Sequence, residues 1–406
     1  MSLIQPFRGL RPAPGLAGDV AAPPYDVLSS AEARARATGK PLNFLHISKA
    51  EIDLPPDTDP YAPAVYAKSA ENFRRLVADG ILIRDAAPCY YAYRLTMGKH
   101  VQTGIVAAAS IADYDSNRIL KHEFTRPDKE DDRVRQIEAL SAQTGPVLLA
   151  CPDSPEVDDL IARAAGRDPV ADVTADGVRH TVWVIDDAAS IAGLTSGFDA
   201  MPNLYIADGH HRSAAASRVA ARRRGLAASA DYFLAVIFPA HQMRILDYNR
   251  VVRDLNGLSP DAFLARVSER YAVTPAAGHV HPETPGVVGM YLGGRWYRLE
   301  IDPSLVPATD PVRRLDVSLL SDQLLEPVLG IGDLRRDKRI DFVGGIRGPA
   351  ELERHVNSGE MAVAFALHAT QMGDLMAVAD SGQVMPPKST WFEPKLADGL
   401  VSHIID

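Results

Sequence analysis

One stretch, residues 204–225, restricts the architecture of this chain more than any other: LYIADGHHRSAAASRVAARRRG. Leu204 to Ala207 are apolar and predict a short buried strand, and Asp208-Gly209 predicts a turn. From about Arg212 a run of alanines and arginines favours a helix, which Gly225 should end. A strand that turns into a helix at a glycine presents backbone N–H groups to solvent, so this junction predicts an anion-binding site.

The side chains of the junction suit a phosphate group. The first turn of a helix carries unbonded N–H groups and a partial positive charge. Gly209 allows close approach of the backbone, Arg212 can add a bidentate contact, and His210 and His211 can add further donors. Asp208 is the carboxylate nearest to such a phosphate, and we take it as a candidate catalytic residue. The sequence contains neither a Walker loop nor a dinucleotide-binding glycine pattern.

A second charged stretch, KHEFTRPDKEDDR at 121–133, provides the other groups that phosphoryl transfer requires. That chemistry needs cations around the moving phosphoryl group, a carboxylate near the nucleophile and usually Mg²⁺. His122 and Glu123 precede a helix that we predict from about Asp128, and they are candidate catalytic residues. Arg126 and Arg133 are candidate phosphate ligands. Alternatively, the second half of the stretch is a solvent-exposed helix face with ion pairs at i, i+4.

Three proline-rich segments offer candidate substrate contacts. Arg8 lies in PFRGLRP, Asp26 follows APPY, and Lys388, Ser389 and Thr390 lie in MPPKSTWFEPKL. Proline fixes φ and restrains the preceding residue, so each segment holds its polar side chain in a defined position. The alternative is that these side chains only order their own loops.

Helices and strands mix along the chain without strict βαβ alternation, which predicts an α+β fold with a mixed β-sheet. Residues 41–48, PLNFLHIS, predict a strand, and Gly293-Gly294 predicts a hairpin turn. The pattern changes near residue 258. We therefore predict a core domain over 1–250 and a C-terminal α+β lobe over 251–406.

Composition narrows the function classes. The net charge of −9 argues against a protein that coats nucleic acid. Two cysteines, the lack of an apolar leader in MSLIQPFRGLRP and the lack of any run of about 18 apolar residues predict a cytoplasmic protein without a membrane span. Adjacent histidines usually point in different directions, so we predict no metal held by the protein alone. A homodimer is one assembly that the sequence allows.

Six segments, from PFRGLRP at residue 6 to MPPKSTWFEPKLADGL ending at residue 400, together resemble the family called domain of unknown function 1015. The box ADGHHRSAAA resembles the phosphate-binding box of the ParB/sulfiredoxin-like superfamily, a glycine, two variable positions, an arginine and a small residue. The resemblance implies a ParB/sulfiredoxin-like core that carries the box, and a C-terminal lobe that contributes the MPPKST segment.

The box is also similar to that of the ADP-dependent free serine kinases, which have Asp-Gly-Asn-His-Arg where this chain has Asp208 to Arg212. The difference is His210. In those kinases the box handles nucleotide phosphates, its aspartate assists, and an upstream glutamate is the base. The resemblance implies a phosphotransferase that uses Mg²⁺ with ADP or ATP and a small hydroxyl metabolite such as free serine.

Two further functions remain as alternatives. ParB proteins use a related box for CTP, and sulfiredoxin uses it for ATP, so the box could serve a nucleotide-sensing or metabolite-sensing module without turnover. DNA binding is suggested only by the relationship to ParB. The acidic balance and the lack of a clear helix-turn-helix pattern argue against it.

Overall fold

The computed structural model describes residues 2–406, which form two compact units. The first unit is Met1–Met243 together with Pro394–Asp406, and the second is Arg244–Glu393. The division into a core domain over 1–250 and a C-terminal lobe over 251–406 stays a prediction. Among the described residues, no helix has both the length and the apolar character needed to cross a bilayer.

The elements alternate irregularly along the chain. The helices are α1 (Ala17–Val20), α2 (Ser30–Ala37), α3 (Leu45–Ser48), α4 (Pro63–Ala78), α5 (Ile111–Asp115), α6 (Pro127–Leu140), α7 (Pro155–Ala164), α8 (Ala188–Asp199), α9 (His210–Arg223), α10 (Pro260–Val267), α11 (Asp316–Leu320), α12 (Pro349–Asn357) and α13 (Met372–Asp380). The strands are β1 (Ile4–Gln5), β2 (Leu10–Pro12), β3 (Leu82–Arg84), β4 (Tyr90–Met97), β5 (His100–Ser110), β6 (Ile119–Leu120), β7 (Ala142–Gln143), β8 (Val147–Cys151), β9 (Ala171–Ala175), β10 (Val178–Ile185), β11 (Leu204–Asp208), β12 (Tyr232–Pro239), β13 (Arg244–Leu246), β14 (Tyr248–Val252), β15 (Tyr271–Ala276), β16 (Val287–Leu292), β17 (Arg295–Ile301), β18 (Ile340–Gly344), β19 (Val363–Leu367), β20 (Trp391–Glu393) and β21 (His403–Ile404).

The first unit is built on a mixed sheet, as predicted for an α+β fold. Its strand order is β6-β11-β8-β12-β5-β4-β10-β9, and β1 pairs with β5. β11 is parallel to β6 but antiparallel to β8, and β12 is parallel to β8 but antiparallel to β5. Every residue of β12 is buried, which is typical of a central strand covered on both faces.

Helix α9 explains why the stretch after the box is rich in alanine. Ala216 and Ala220 face the main core of the first unit, while Ala215 and Val219 pack in a second cluster with Val134 of α6. α9 is therefore covered on two sides, and only small side chains let it lie close to both neighbours. Its arginines at 222–224 remain on the outside or at the helix end, where they complement the helix dipole.

The C-terminal residues return to the first unit. Ala22 bridges to Asp398, Leu10 bridges to Ser402, and β21 pairs with β7. The segment from Pro394 onward is thus part of the same unit as the box, although about 190 residues of sequence separate Lys395 from Asp208.

The second unit has its own sheet, with the antiparallel order β15-β17-β16-β19-β14-β18, and a β13-β20 pair. β16 and β17 form the hairpin that the glycine pair predicts, since Gly293 and Gly294 both have positive φ, 56° and 77°. Leu352 of α12 packs against this sheet in a cluster with Val251 and Ala364.

The strand predicted for residues 41–48 is wrong, because residues 45–48 form helix α3. The Asn43 side chain accepts a hydrogen bond from the Leu45 N–H (3.1 Å) and donates one to the Ala21 carbonyl (3.1 Å). This local bonding favours a helical turn. Phe44, Leu45 and Ile47 are all buried, so the apolar run reflects a helix enclosed by the core rather than a strand.

Candidate functional site

The box adopts the strand–turn–helix form that the sequence predicts. β11 ends at Asp208, with an irregularity in its pairing to β8 between Ile206 and Asp208. Gly209 has φ of +101°, a conformation that residues with a Cβ atom rarely adopt. The helix begins directly after it, at His210, two residues earlier than predicted. Gly209, the N-cap residue, has no side chain that could cap the helix, and the N–H groups of a first helical turn are suited to binding an anion.

The Arg212 side chain folds back onto the other residues of the box instead of extending into solvent. Its Nη2 is 3.6 Å from Asp208 Oδ1 and 4.0 Å from Asp26 Oδ2, and its Nη1 donates to the Pro146 carbonyl. Only 11% of its side-chain surface is exposed. Burial lowers the pKa of Arg212, but the charges of Asp26 and Asp208 outweigh this and raise it above its ordinary value. Arg212 is thus a fixed positive charge that the protein already partly neutralises.

Lys395 is a site residue that the sequence analysis missed. Its Nζ lies 3.4 Å from Asp208 Oδ2. Burial raises the pKa of Asp208, but Lys395, Arg212 and His210 lower it to about 2, so this carboxylate is ionised at neutral pH. The available signal was a lysine after a proline in WFEPKL, the same pattern that singled out Lys388.

Asp398 is a second residue that the sequence analysis missed. It is 2% exposed and lines a small cavity of about 30 Å³ together with Tyr25, Arg133 and Arg212. Burial raises the pKa of Asp398 to about 7, against the opposing charge of Arg212. The cavity has room for little more than a water molecule and is too small for a larger ligand.

We expect Asp398→Asn to remove a pH dependence of stability. Between about pH 4, where an aspartate of the unfolded chain ionises, and pH 7, the unfolded state gives up the Asp398 proton while the folded state keeps it. The wild type should therefore lose about 1–3 kcal/mol of unfolding free energy relative to the variant as pH rises over this range. Urea denaturation at pH 5 and pH 8 measures this; parallel pH profiles would contradict it.

His122, Glu123 and His210 form a close cluster beside the box. The two imidazole rings meet edge to face with centroids 4.5 Å apart, and the backbone N–H of His122 donates to His210 Nε2 over 3.4 Å. His210 Nδ1 is 3.9 Å from Glu123 Oε2. Burial lowers the pKa of His122 to about 4 and that of His210 well below its usual value, so both rings are neutral at pH 7.

The other predicted phosphate ligands are paired with protein groups. His211 Nε2 accepts a hydrogen bond from the Arg126 N–H (3.0 Å), which joins the start of α6 to the start of α9. The exposed Arg126 guanidinium pairs with Asp128 at 2.7 Å. Arg133 pairs with Asp132 at 2.6 Å, and its guanidinium carbon lies 3.8 Å from the centroid of the Tyr25 ring. Their roles as phosphate ligands stay predictions.

The structure places the remaining candidates as follows. Asp26 joins the box through Arg212, as described above. Arg8 donates from Nε to the Asp85 carbonyl and lines a different cavity. Lys388, Ser389 and Thr390 belong to the second unit, where Ser389 Oγ donates to the Pro386 carbonyl. Substrate contacts by these residues stay predictions.

A family model described as "Protein of unknown function (DUF1015)" matches residues 4–318. No curated protein matches the sequence. Among solved structures, a free serine kinase in complex with AMP is 13% identical, with a TM-score of 0.37 over 73% of this chain and 89% of that chain. A conserved hypothetical protein from Pyrococcus furiosus is 14% identical, with a TM-score of 0.36 over 75% of this chain and 96% of that one. SbnI with a C-terminal truncation, from Staphylococcus aureus, is 11% identical, with a TM-score of 0.38 over 72% and 85%.

Proposed function

The chain belongs to the DUF1015 family, and we propose that it binds a nucleotide at the N-terminus of α9 and transfers a phosphoryl group to the hydroxyl of a small metabolite such as free serine. One observation carries the proposal. α9 follows a glycine with φ of +101° that provides no capping side chain, and the cations of Arg212 and Lys395 lie beside Asp208 at the same junction. Uncapped first-turn N–H groups beside fixed cations are a common way of binding phosphate.

The carboxylates of Glu123 and Asp208 support phosphoryl transfer, and their surroundings suit them to different roles. Glu123 has 42% of its side-chain surface exposed and lies near the start of α9, so it can reach a substrate hydroxyl. Asp208, with a pKa of about 2, holds a proton too weakly to serve as an effective base at neutral pH. We therefore assign proton acceptance to Glu123 and leave Asp208 to orient the bound groups. The resemblance of residues 208–212 to the box of free serine kinases agrees with this division.

The residues present fit a magnesium ion brought in with the nucleotide. Mg²⁺ prefers oxygen ligands, and usually binds one or two carboxylates together with substrate phosphates. Asp26 and Asp208 both present partly exposed carboxylate oxygens on the side of the box where a nucleotide would bind. The ion would supply positive charge between these carboxylates and the phosphates, which would otherwise repel each other.

Nucleotide binding is therefore expected to depend on Mg²⁺. Affinity for ADP, ATP or CTP should fall about tenfold or more when EDTA replaces Mg²⁺, a difference of at least 1.4 kcal/mol. Isothermal titration calorimetry of the full chain with each nucleotide, with and without Mg²⁺, measures the affinity. Phosphorus NMR of mixtures with free serine then detects phosphoserine.

The outcomes separate the candidate functions. Binding with formation of phosphoserine or another phosphorylated hydroxyl compound supports the phosphotransferase. Clear affinity without turnover of any hydroxyl acceptor supports the nucleotide-sensing alternative. Absence of binding for all three nucleotides in the presence of Mg²⁺ contradicts both.

A further inference from the structure

We propose that His122, Glu123 and His210 bind one divalent cation of borderline character, with Zn²⁺ as the representative ion. The three residues offer two imidazole nitrogens and one carboxylate oxygen from a single small region of the first unit. This inference goes beyond the proposed function, since it requires no nucleotide, and it departs from the expectation that the protein itself holds no metal.

The distances suit a common ion. One ligand atom from each residue lies within 4.8 Å of the other two, and His210 Nδ1 and Glu123 Oε2 are 3.9 Å apart. Two ligands of a tetrahedral zinc ion, each bound at about 2.0–2.2 Å, lie about 3.3–3.6 Å apart. Side-chain shifts of less than about 1 Å therefore bring all three atoms to bonding distance.

A second observation points to a ligand at the same place. The Nδ1 atom of His122 is buried and has no hydrogen-bond partner, and the side chain is 2% exposed. Leaving a buried polar atom unpaired is unfavourable, so a group that binds this nitrogen would stabilise the folded state. Zinc-binding histidines present one ring nitrogen to the metal, and the unpartnered nitrogen of His122 in this cluster is available for that role.

His210 can adopt the state that binding needs. Its Nε2 accepts a hydrogen bond from the backbone N–H of His122 over 3.4 Å, which is longer than a typical hydrogen bond. Metal binding through Nδ1 would place the proton on Nε2 and give up this weak contact.

The donor set determines the class of cation. Imidazole suits zinc and other late first-row metals, whereas Mg²⁺ and Ca²⁺ prefer oxygen ligands throughout. Three protein ligands leave one position open, as in catalytic zinc sites. Because Glu123 is partly exposed while the two histidines are buried, the open position would face solvent on the side of Glu123. An occupied site takes Glu123 out of proton acceptance, so Zn²⁺ should inhibit phosphoryl transfer.

The test uses the full chain, freed of metal with a chelator, without nucleotide. Titration with Zn²⁺ should show one site per chain, and Co²⁺ should give the visible absorption bands of a four- or five-coordinate ion. Glu123→Gln and His210→Asn should each weaken Zn²⁺ binding about 100-fold, since even loss of a supporting residue costs 10–100-fold. Glu138→Gln is the matched control, because Glu138 is similarly exposed (38%) but pairs with Arg222 on the surface. His241→Asn controls for exposed histidines.

Failure of this proposal is distinct from failure of the proposed function, which is tested with Mg²⁺ and nucleotide in zinc-free protein. Absence of one-to-one Zn²⁺ binding, or equal binding by wild type and Glu123→Gln, would overturn the metal site. If circular dichroism shows that His210→Asn does not fold, Glu123→Gln and the Co²⁺ spectrum decide alone, because Glu123 is partly exposed and its replacement is conservative.

Discussion

Gly209→Ala is expected to lose nucleotide binding and to lower the free energy of unfolding by about 1–3 kcal/mol, the range for a residue forced into a sparsely populated backbone conformation. The φ of +101° is one that alanine rarely adopts. A Cβ at this position would also lie 3.1 Å from Nε and 3.2 Å from Cζ of Arg212. The guanidinium would have to move away from its present position beside the first turn of α9. Affinity should fall at least about tenfold, or 1.4 kcal/mol.

The same helix provides a matched control for backbone strain. Gly225 follows the C-terminal end of α9, has φ of +76°, and a Cβ there would meet no atom within 4 Å. Gly225→Ala should therefore show a comparable loss of stability, about 1–2 kcal/mol, with unchanged nucleotide affinity. Calorimetry with nucleotide and urea denaturation compare the two variants. Equal affinities for both variants would show that the box does not seat the phosphate.

The sequence predicts the parts of the site that depend on residues adjacent in the chain. A short apolar run, Asp-Gly and an alanine-rich stretch specify strand, turn and helix through local propensities. The run of alanines and arginines predicts the helix only from about Arg212. In the structure Gly209 alone makes the turn, because its left-handed conformation lets His210 enter the helix at once. Local propensity therefore fixes the motif but leaves its boundary uncertain by a couple of residues.

The parts that depend on distant residues could not be predicted in the same way. Lys395 and Asp398 reach the box because the C-terminal segment pairs with Leu10, Ala22 and β7. No periodicity in residues 394–406 indicates these partners, since they are set by tertiary contacts between segments far apart in the chain. The Lys395 ammonium is the largest of the charges that lower the pKa of Asp208 against the effect of burial, so the electrostatics of the site also depend on a contact that local patterns do not reveal.

The charged side chains show a related limit. Arg126, Arg133 and Arg212 were predicted to contact phosphate because arginine and phosphate are complementary. In the structure each lies within ion-pair distance of a nearby aspartate. A count of charges in the sequence does not show which cations the protein itself neutralises. For Arg212 this pairing makes the residue important to the stability of the fold.

Arg212→Met is expected to lower the free energy of unfolding by about 1–3 kcal/mol at pH 8, because it leaves the buried Asp398 without a compensating cation, whereas Asp26 and Asp208 are partly exposed and screened by solvent. Asp26, Asp208 and Asp398 all interact with this guanidinium. Arg218→Met is the control on the same helix. Arg218 is 36% exposed and pairs with Glu130 and Asp131, so its loss should change stability by at most about 1 kcal/mol.

The loss in Arg212→Met should be larger at pH 8 than at pH 5. Arg212 opposes the effect of burial on Asp398, so without it the folded-state pKa of Asp398 rises further above about 7, while the unfolded value does not change. A raised carboxyl pKa removes stability as pH rises toward the folded value. Adding Asp398→Asn to Arg212→Met should therefore recover stability at pH 8 but hardly at pH 5. Urea denaturation of the single and double variants at both pH values measures this coupling, and a loss independent of pH would mean that Arg212 does not compensate Asp398.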